Sequence, residues 1–352
     1  MQEPHVKPLR TAKVLVWDLD NTLWDGTLAE GDDVQIRPRA REVIETLDQR
    51  GILLSVASKN DPSQALDRLS QLGLADFFIY PQISWAAKSK GIATIAEKIN
   101  VALDTIAFID DQPFELDEVQ HTHPEVLTLG AAELDRLLDR PEFQPRFITD
   151  ESAMRRHMYR ADIERNAAEE DYEGPDEAFL ASLGMKFSIA LAQEEDLQRA
   201  EELTVRTNQL NSTGITYSYE DLDALRRSEN QRLLVADLTD KYGPYGKIGL
   251  ALLEVGPAIW TLDLLLMSCR VMARGVGTIM LSYLMQEASA AGVGLRAKLK
   301  TTERNRMMRV TYRFAGFVEV ERDGDIATLE NDLTNIQPFP DYVEIDLPDR
   351  IV

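Results

Sequence analysis

Two aspartates, Asp18 and Asp20, stand two residues apart at the end of an apolar run, residues 13–17, and Thr22 follows at the same spacing. Side chains two apart on an extended chain point the same way, so both carboxylates can face one site as the strand gives way to a turn. Carboxylates that close repel each other unless a cation sits between them. The same kind of residue recurs at the same kind of place. Asp110 and Asp111 end the apolar run 106–109, Ser58 ends the run 52–57, and Lys88 opens a helical stretch ahead of Asp110. Oxygen donors in open coordination suit Mg2+, which binds through few carboxylates together with water and phosphate oxygens. Lys90 competes with Lys88 for the part of the ammonium.

These groups need strand ends to hold them. Runs 13–17, 52–57, 77–80, 106–109 and 125–129 read as short buried strands. Helices read between them: 38–50, with Val43, Ile44 and Leu47 on one face; 61–73, with Asp61 as N-cap and Pro62 at the first helical position; and 90–100. Such alternation predicts a parallel sheet covered by helices on both faces, with ligands beyond the carboxyl ends of its strands. Residues 23–37 are too few for a large cap domain. Trp24, with Gly26 and Gly31, forms a small flap over the site or packs against the sheet edge.

After an acidic stretch, residues 162–177 with Arg165 its only cation, the chain has a second core. Strands are expected at 232–238, 246–255, 259–267, 295–299 and 317–320, with a turn-rich loop at 241–246 and helices at 275–290 and 303–314. The expected fold class is α/β, a Rossmann-like parallel sheet without a large cap, followed by an α+β domain with a mostly antiparallel sheet. The expected division is 1–135 for the first domain, 136–180 for an acidic helical linker, 181–330 for the second domain and 331–352 for a tail.

Composition bounds the function. A chain of 352 residues makes about two domains, and 44% hydrophobic with 28% charged residues is globular composition. No apolar run reaches the ~18–20 residues that span a bilayer, and residues 1–10 have no apolar core of the kind a secretion signal needs. One cysteine forms no internal disulfide, which makes the cytoplasm the natural compartment. A net charge of −22 repels phosphate backbones and anionic lipid heads, so neither nucleic acid nor membrane is expected as a partner. The local exception is 296–313, where Arg296, Lys298, Lys300, Arg304, Arg306, Arg309 and Arg313 face one acid, Glu303. That stretch docks an acidic partner, or it is a solvated face paired to the acidic linker.

D-x-D-x-T after the first strand, Ser after the second, Lys near a helix start and D-D after the fourth, in that order across 13–111, resemble the haloacid dehalogenase superfamily of aspartate-nucleophile phosphohydrolases. The resemblance implies Asp18 as nucleophile and Asp20 as the acid that protonates the leaving oxygen and then activates water. It implies Mg2+ held by the Asp18 side chain, the Asp20 backbone carbonyl and Asp110, with Asp111 joining through water. Ser58 and Lys88 would hold the phosphoryl oxygens. Thr22, Trp24 and Asn60 fall beside the substrate.

Residues 17–24 (WDLDNTLW), 57–60 (ASKN), 83–88 (ISWAAK) and 108–115 (FIDDQPFE), with 207–211 (TNQLN) and 268–275 (SCRVMARG), look like the FkbH-like branch of that superfamily. This implies dephosphorylation of a three-carbon unit, 1,3-bisphosphoglycerate, and delivery of glyceryl to the phosphopantetheine thiol of an acyl carrier protein in natural-product biosynthesis. Where many members carry Trp-Gly-Gly, this chain has Trp24, Asp25 and Gly26. The alternative is a stand-alone phosphatase of another small phosphate ester; a non-enzymatic binding module ranks last.

The second half also resembles the GNAT-like acyltransferase fold, with Arg274, Gly275 and Gly277 at a helix start that favours a phosphate. Asn305, Tyr312, Gly316 and Phe317 fit that fold's closing elements. Met272 stands where the GNAT pattern has Arg or Gln, which weakens the case for coenzyme A. Cys269 is a core thiol or the resting place of an acyl unit. Asn208 and Asn211 orient substrate or carrier thioester, or end a helix.

Overall fold

The protein is described by a computed structural model over residues 11–207, 209–300, 302, 305–348 and 350–351. It divides into two compact units, Met1–Arg160 and Ala161–Val352. The first holds β1 (Val14–Trp17), β2 (Trp24–Asp25), β3 (Gln35–Ile36), α1 (Pro38–Gln49), β4 (Leu53–Ser58), α2 (Pro62–Gln71), β5 (Gln82–Ile83), α3 (Lys88–Ile99), β6 (Ile106–Asp110), α4 (Pro113–Thr122), β7 (Leu127–Gly130) and α5 (Asp150–Ala153). The division falls inside α6 (Arg155–Glu170).

Five strands form one sheet in the order β5-β4-β1-β6-β7, and every pairing in it is parallel. The central strand β1 is buried on both sides, as a parallel sheet covered on both faces requires. Leu15 and Trp17 pack with Leu54, Val56, Ala107 and Ile109 against the apolar stripe Ala40, Val43, Ile44 and Leu47 of α1. That stripe repeats at i, i+3, i+4 and i+7, the spacing of one helical face. Pro38 starts α1, while Asp61 caps α2 by accepting from the Gln64 amide. β2 and β3 form a two-stranded antiparallel ribbon directly after the first motif. No large cap lies in that stretch.

One expected strand is displaced. The 3-10 turn Ala75–Phe77 runs into the start of that stretch, Phe78 makes a single bridge to Leu54, and the third strand is Gln82–Ile83. Tyr80 has φ 49°, the left-handed region, ahead of Pro81, so the chain reverses before it can extend.

The second unit adds α7 (Asp176–Ser182), β8 (Met185–Leu191), α8 (Leu197–Arg206), α9 (Tyr219–Arg226), β9 (Gln231–Asp240), β10 (Gly243–Glu254), β11 (Ile259–Met267), α10 (Val276–Ala291), β12 (Gly294–Lys300), α11 (Arg306–Phe314), β13 (Val318–Asp323), β14 (Ile326–Asn331) and β15 (Val343–Asp346). Its eight-stranded sheet runs β13-β14-β12-β11-β10-β9-β8-β15, antiparallel except for β11 with β12 and β15 with β8. One face packs against α10 and α11 through Ile279, Met280, Leu284, Met308 and Tyr312. The other packs against α8 and α9 through Leu197, Ala200, Leu203 and Leu222.

The expected loop at 241–246 is mostly strand, because β10 starts at Gly243 and pairs back onto β9 after a tight turn. The segment expected as a tail adds β15 to the sheet edge. The structure draws its one division at Arg160, inside the stretch expected as a linker. Among the described residues no helix is long and apolar enough to cross a membrane.

Candidate active site

The carboxyl ends of β1, β4 and β6 lie side by side, because β1 pairs with both of the others in matching register. Each strand end therefore delivers its polar residue to the same place. Asp18 follows β1, and its backbone amide donates to Ile109 O at 3.0 Å, carrying the sheet ladder one step beyond the strand. Ser58 is the last residue of β4, Asp110 the last of β6, and Lys88 the first of α3. All four side chains are buried.

Lys88 settles between two carboxylates. Its Nζ lies 2.8 Å from Asp18 Oδ1 and 2.6 Å from Asp110 Oδ2. Of the two lysines, Lys88 is the one between these carboxylates, while Lys90 is exposed two positions further round the helix. Asp110 Oδ1 accepts from the Gln112 amide at 2.9 Å. Asp18, Asp110 and Asp111 each offer an oxygen within 4.8 Å of the others.

One ammonium does not balance three carboxylates, and the electrostatics show it. Burial pushes the Asp18 carboxyl up to about 6, with Lys88 opposing and the charge of Asp110 adding to the rise. Burial also raises Asp110, against Lys88, and raises Asp111, with Asp18 adding to it. Burial pulls the Lys88 ammonium down, but Asp18 and Asp110 outweigh it and leave Lys88 raised. Asp111 Oδ1 is buried without a hydrogen-bond partner. An all-oxygen donor set, an orphaned carboxylate oxygen and excess negative charge fit a small hard dication such as Mg2+. Asp18, Asp110 and Asp111 are the side chains that would hold it.

Asp20 takes another position. Its Oδ1 accepts from Trp24 Nε1 at 2.7 Å and from the Leu28 amide at 3.1 Å, and its Oδ2 from Asn60 Nδ2 at 3.0 Å. Asn60 Nδ2 also donates to Ser58 Oγ at 3.2 Å, which links the Asp20 carboxylate to the end of β4. Trp24 is fully buried, so it is no exposed flap; its indole reaches the site only by holding Asp20. Thr22 is buried too, and its Oγ1 lacks a partner.

Beside Ser58 and Lys88 opens a cavity of about 190 Å³ lined also by Gln82, Ser84, Lys90 and Thr94. Two contacts near the site went unread in the sequence. Lys59 Nζ pairs with the buried Glu115 at 2.7 Å, and Ser89 hydrogen-bonds Glu118. Both join residues far apart in sequence, and nothing local marks them.

The remaining expected site residues belong to the second unit. Asn208 lies outside the described residues, as do Glu303 and Arg304. Asn211 is buried and its side chain shapes a turn: Oδ1 accepts from Gly214 N at 2.8 Å and Thr213 N at 3.2 Å. Arg274 is buried, donates to Glu169 Oε2 at 2.9 Å and packs over the Phe179 ring. Cys269, partly buried, opens the 3-10 turn that leads to α10. The cations of β12 pair with Glu330 and Asp263 of neighbouring strands (Arg296 and Lys298) and with Asp325 in the turn before β14 (Lys300), not with the acidic stretch.

No family model matches the chain. Among solved structures it is similar to the N-terminal part of a Bacteroides fragilis protein containing a phosphatase domain, complexed with Mg, at 27% identity and TM-score 0.33. That likeness covers 34% of this chain and 36% of the other. It is also similar to the ribosomal-protein-S18-alanine N-acetyltransferase of Escherichia coli, at 18% identity over 41% of this chain and 90% of that one, TM-score 0.32. A GNAT-family acetyltransferase of Streptococcus pneumoniae is similar at 18% identity over 42% and 98%, TM-score 0.33. The first unit is a five-stranded parallel sheet with a carboxylate cluster at its strand ends, and the second is a mixed eight-stranded sheet.

Proposed function

We propose that the first domain is a Mg2+-dependent phosphoryl-transfer enzyme with Asp18 as nucleophile. The observation that carries this reading is the convergence of Asp18, Asp110 and Asp111 beside Lys88 at two adjacent strand ends. Bound Mg2+ supplies positive charge that offsets the repulsion between a carboxylate nucleophile and a phosphate.

The chain's own residues do the rest. An Asp18 oxygen forms a bond to phosphorus as the bond from phosphorus to the leaving oxygen breaks. Asp20, held by Trp24 and Asn60, gives its proton to that oxygen. Ser58 and Lys88 hold the phosphoryl oxygens, over which charge spreads in a loose transition state. Water then attacks the aspartyl-phosphate, Asp20 takes its proton, and inorganic phosphate leaves with Asp18 restored. The cavity lined by Lys90, Ser84 and Gln82 receives the rest of a small ester. The Thr22 amide donates to Leu19 O at 3.2 Å in the turn that carries both aspartates.

The finer reading is that the phosphorylated unit is 1,3-bisphosphoglycerate and that glyceryl passes to an acyl carrier protein in a natural-product pathway in the cytoplasm. Support comes from the FkbH-like motifs in both halves and from a second, GNAT-like fold in the same chain. Cys269 is the second domain's candidate for handling the acyl unit, and Arg306, Arg309 and Arg313 for meeting an acidic carrier. The experiment is intact-mass measurement of a phosphopantetheinylated carrier protein after incubation with enzyme, Mg2+ and 1,3-bisphosphoglycerate. Added glyceryl mass supports the finer reading. Released phosphate with an unmodified carrier leaves the stand-alone phosphatase.

A further inference from the structure

The two central strands of the second sheet part company. β11 and β12 run parallel and pair only from Ile259 opposite Gly294 to Leu262 opposite Ala297, yet β11 continues to Met267 and β12 to Lys300. Past Leu262, β11 turns open N–H and C=O groups toward a gap. An extended, amide-bearing arm can enter such a gap by pairing with exposed backbone, as an added strand does. The pantetheine arm of coenzyme A, the acyl donor that a GNAT-like fold implies, has that chemistry.

The gap is filled by this chain. The segment 210–212, in the connection between α8 and α9, lies antiparallel along β11, with Asn211 bridging Leu266. Met267 N donates to Leu210 O at 2.8 Å, and Ser212 N to Leu265 O at 2.9 Å. The Ser212 hydroxyl oxygen accepts from Leu265 N at 3.0 Å. On the other side, Lys300 N donates to Ser212 O at 2.9 Å, so one segment bonds both parted strands. Buried Asn305 fastens it, with Nδ2 3.0 Å from Asn211 O and 2.7 Å from Lys300 O. Asn211, Ser212 and Asn305 are all buried, so water does not compete for these bonds.

The start of α10, where a pyrophosphate would lie in such a fold, is also unsuited. A cavity of about 710 Å³ there is lined by Gly275, Thr278, Tyr342 and the carboxylates of Glu177 and Asp341, with no lysine or arginine among the described residues that line it. Buried Arg274 turns to Glu169 instead. A Cβ on Gly275 would stand 2.7 Å from the Tyr342 hydroxyl, so that hydroxyl lies against the helix start. Two carboxylates beside a doubly charged diphosphate repel it.

We infer that residues 210–212 form a built-in strand in the place of an acyl-CoA arm, and that the second domain binds neither coenzyme A nor acetyl-CoA. This inference does not depend on the phosphoryl chemistry of the first domain.

Hydrogen exchange followed by mass spectrometry on the full chain tests it, without and with millimolar acetyl-CoA, beside calorimetric titration of coenzyme A. The amides of Ser212, Leu265, Met267 and Lys300 should exchange as slowly as those of the paired part of β11. Acetyl-CoA should change none of them, and no saturable heat should appear. Fast exchange of these amides in the unliganded protein overturns the inference. So does saturable binding of either compound. An Asn305→Ala variant should speed exchange at 210–212 and Lys300 selectively; uniform protection in that variant counts against the strand.

Discussion

At the scale of the residue, Lys88 decides the chemistry of the site. It is an ammonium buried between Asp18 and Asp110, and removing one partner of a buried pair typically costs about 3–5 kcal/mol, because the others stay uncompensated. Lys88→Met should therefore destabilise the metal-free protein by about that amount. It should cost less in saturating Mg2+, where the dication supplies the missing charge. Urea melts with chelator and with Mg2+ check this; an equal loss in both would place no metal beside Lys88. The Asp18 carboxyl, raised to about 6 by burial, adds a pH dependence. Above pH 6 it is ionised and ready to bind a cation or attack phosphorus. Below pH 6 it holds a proton that a cation must displace. Mg2+ affinity should fall as pH drops from 7 to 5, with protons released on binding. Calorimetry in buffers of different ionisation enthalpy measures both, and a pH-independent affinity contradicts the assignment.

At the scale of the element, the first strand and the ribbon behind it make the active carboxylates rigid. Trp24 closes the turn after β1 and presents its N–H to Asp20 from inside the core. Trp24→Phe keeps most of the packing and removes a hydrogen bond to a carboxylate, a contact of about 1.5–3 kcal/mol. The expectation is a fall in kcat of about tenfold or more with KM little changed, since the indole is shielded from substrate. A rise in KM at constant kcat would show that Trp24 touches the ligand after all. These elements also show what a sequence reveals. Asp18, Ser58 and Asp110 were legible because each ends a buried apolar run, and such runs become sheet strands. Spacing favoured Lys88 over its competitor Lys90, and the start of α3 at Lys88 is what brings that ammonium to Asp18 and Asp110. The third strand was misplaced because its two residues, Gln82 and Ile83, carry no pattern and Tyr80 reverses the chain just before them. The strand made by 210–212 was invisible for a related reason: its partners, Leu265, Met267 and Lys300, lie far along the chain, and only the parting of β11 and β12 creates the space.

At the scale of the whole molecule, one chain joins a parallel-sheet unit that carries the carboxylate cluster to a unit built on a mixed eight-stranded sheet, under a net charge of −22. Such a surface repels an acidic carrier almost everywhere. The described face of α11 is different. Arg306, Arg309 and Arg313 are exposed there beside Met307 and Phe314, while the lysines and arginine of β12 are paired off. Complementary charge acts mainly on encounter rate and specificity. A double variant, Arg306→Glu with Arg313→Glu, should raise the KM for an acidic carrier severalfold while leaving phosphate release from a small ester within about twofold. Loss of both activities would point to a folding defect, which melting curves reveal. The central claim sits beneath all of this: Asp18 carries the phosphoryl group. The direct measurement is acid-quench of enzyme, Mg2+ and a small phosphate ester, followed by peptide mass spectrometry. The account predicts one phosphoryl group on the peptide containing Asp18, and neither label nor turnover in Asp18→Asn. Turnover at the parental rate in that variant, or a phosphoryl group on any other residue, contradicts it.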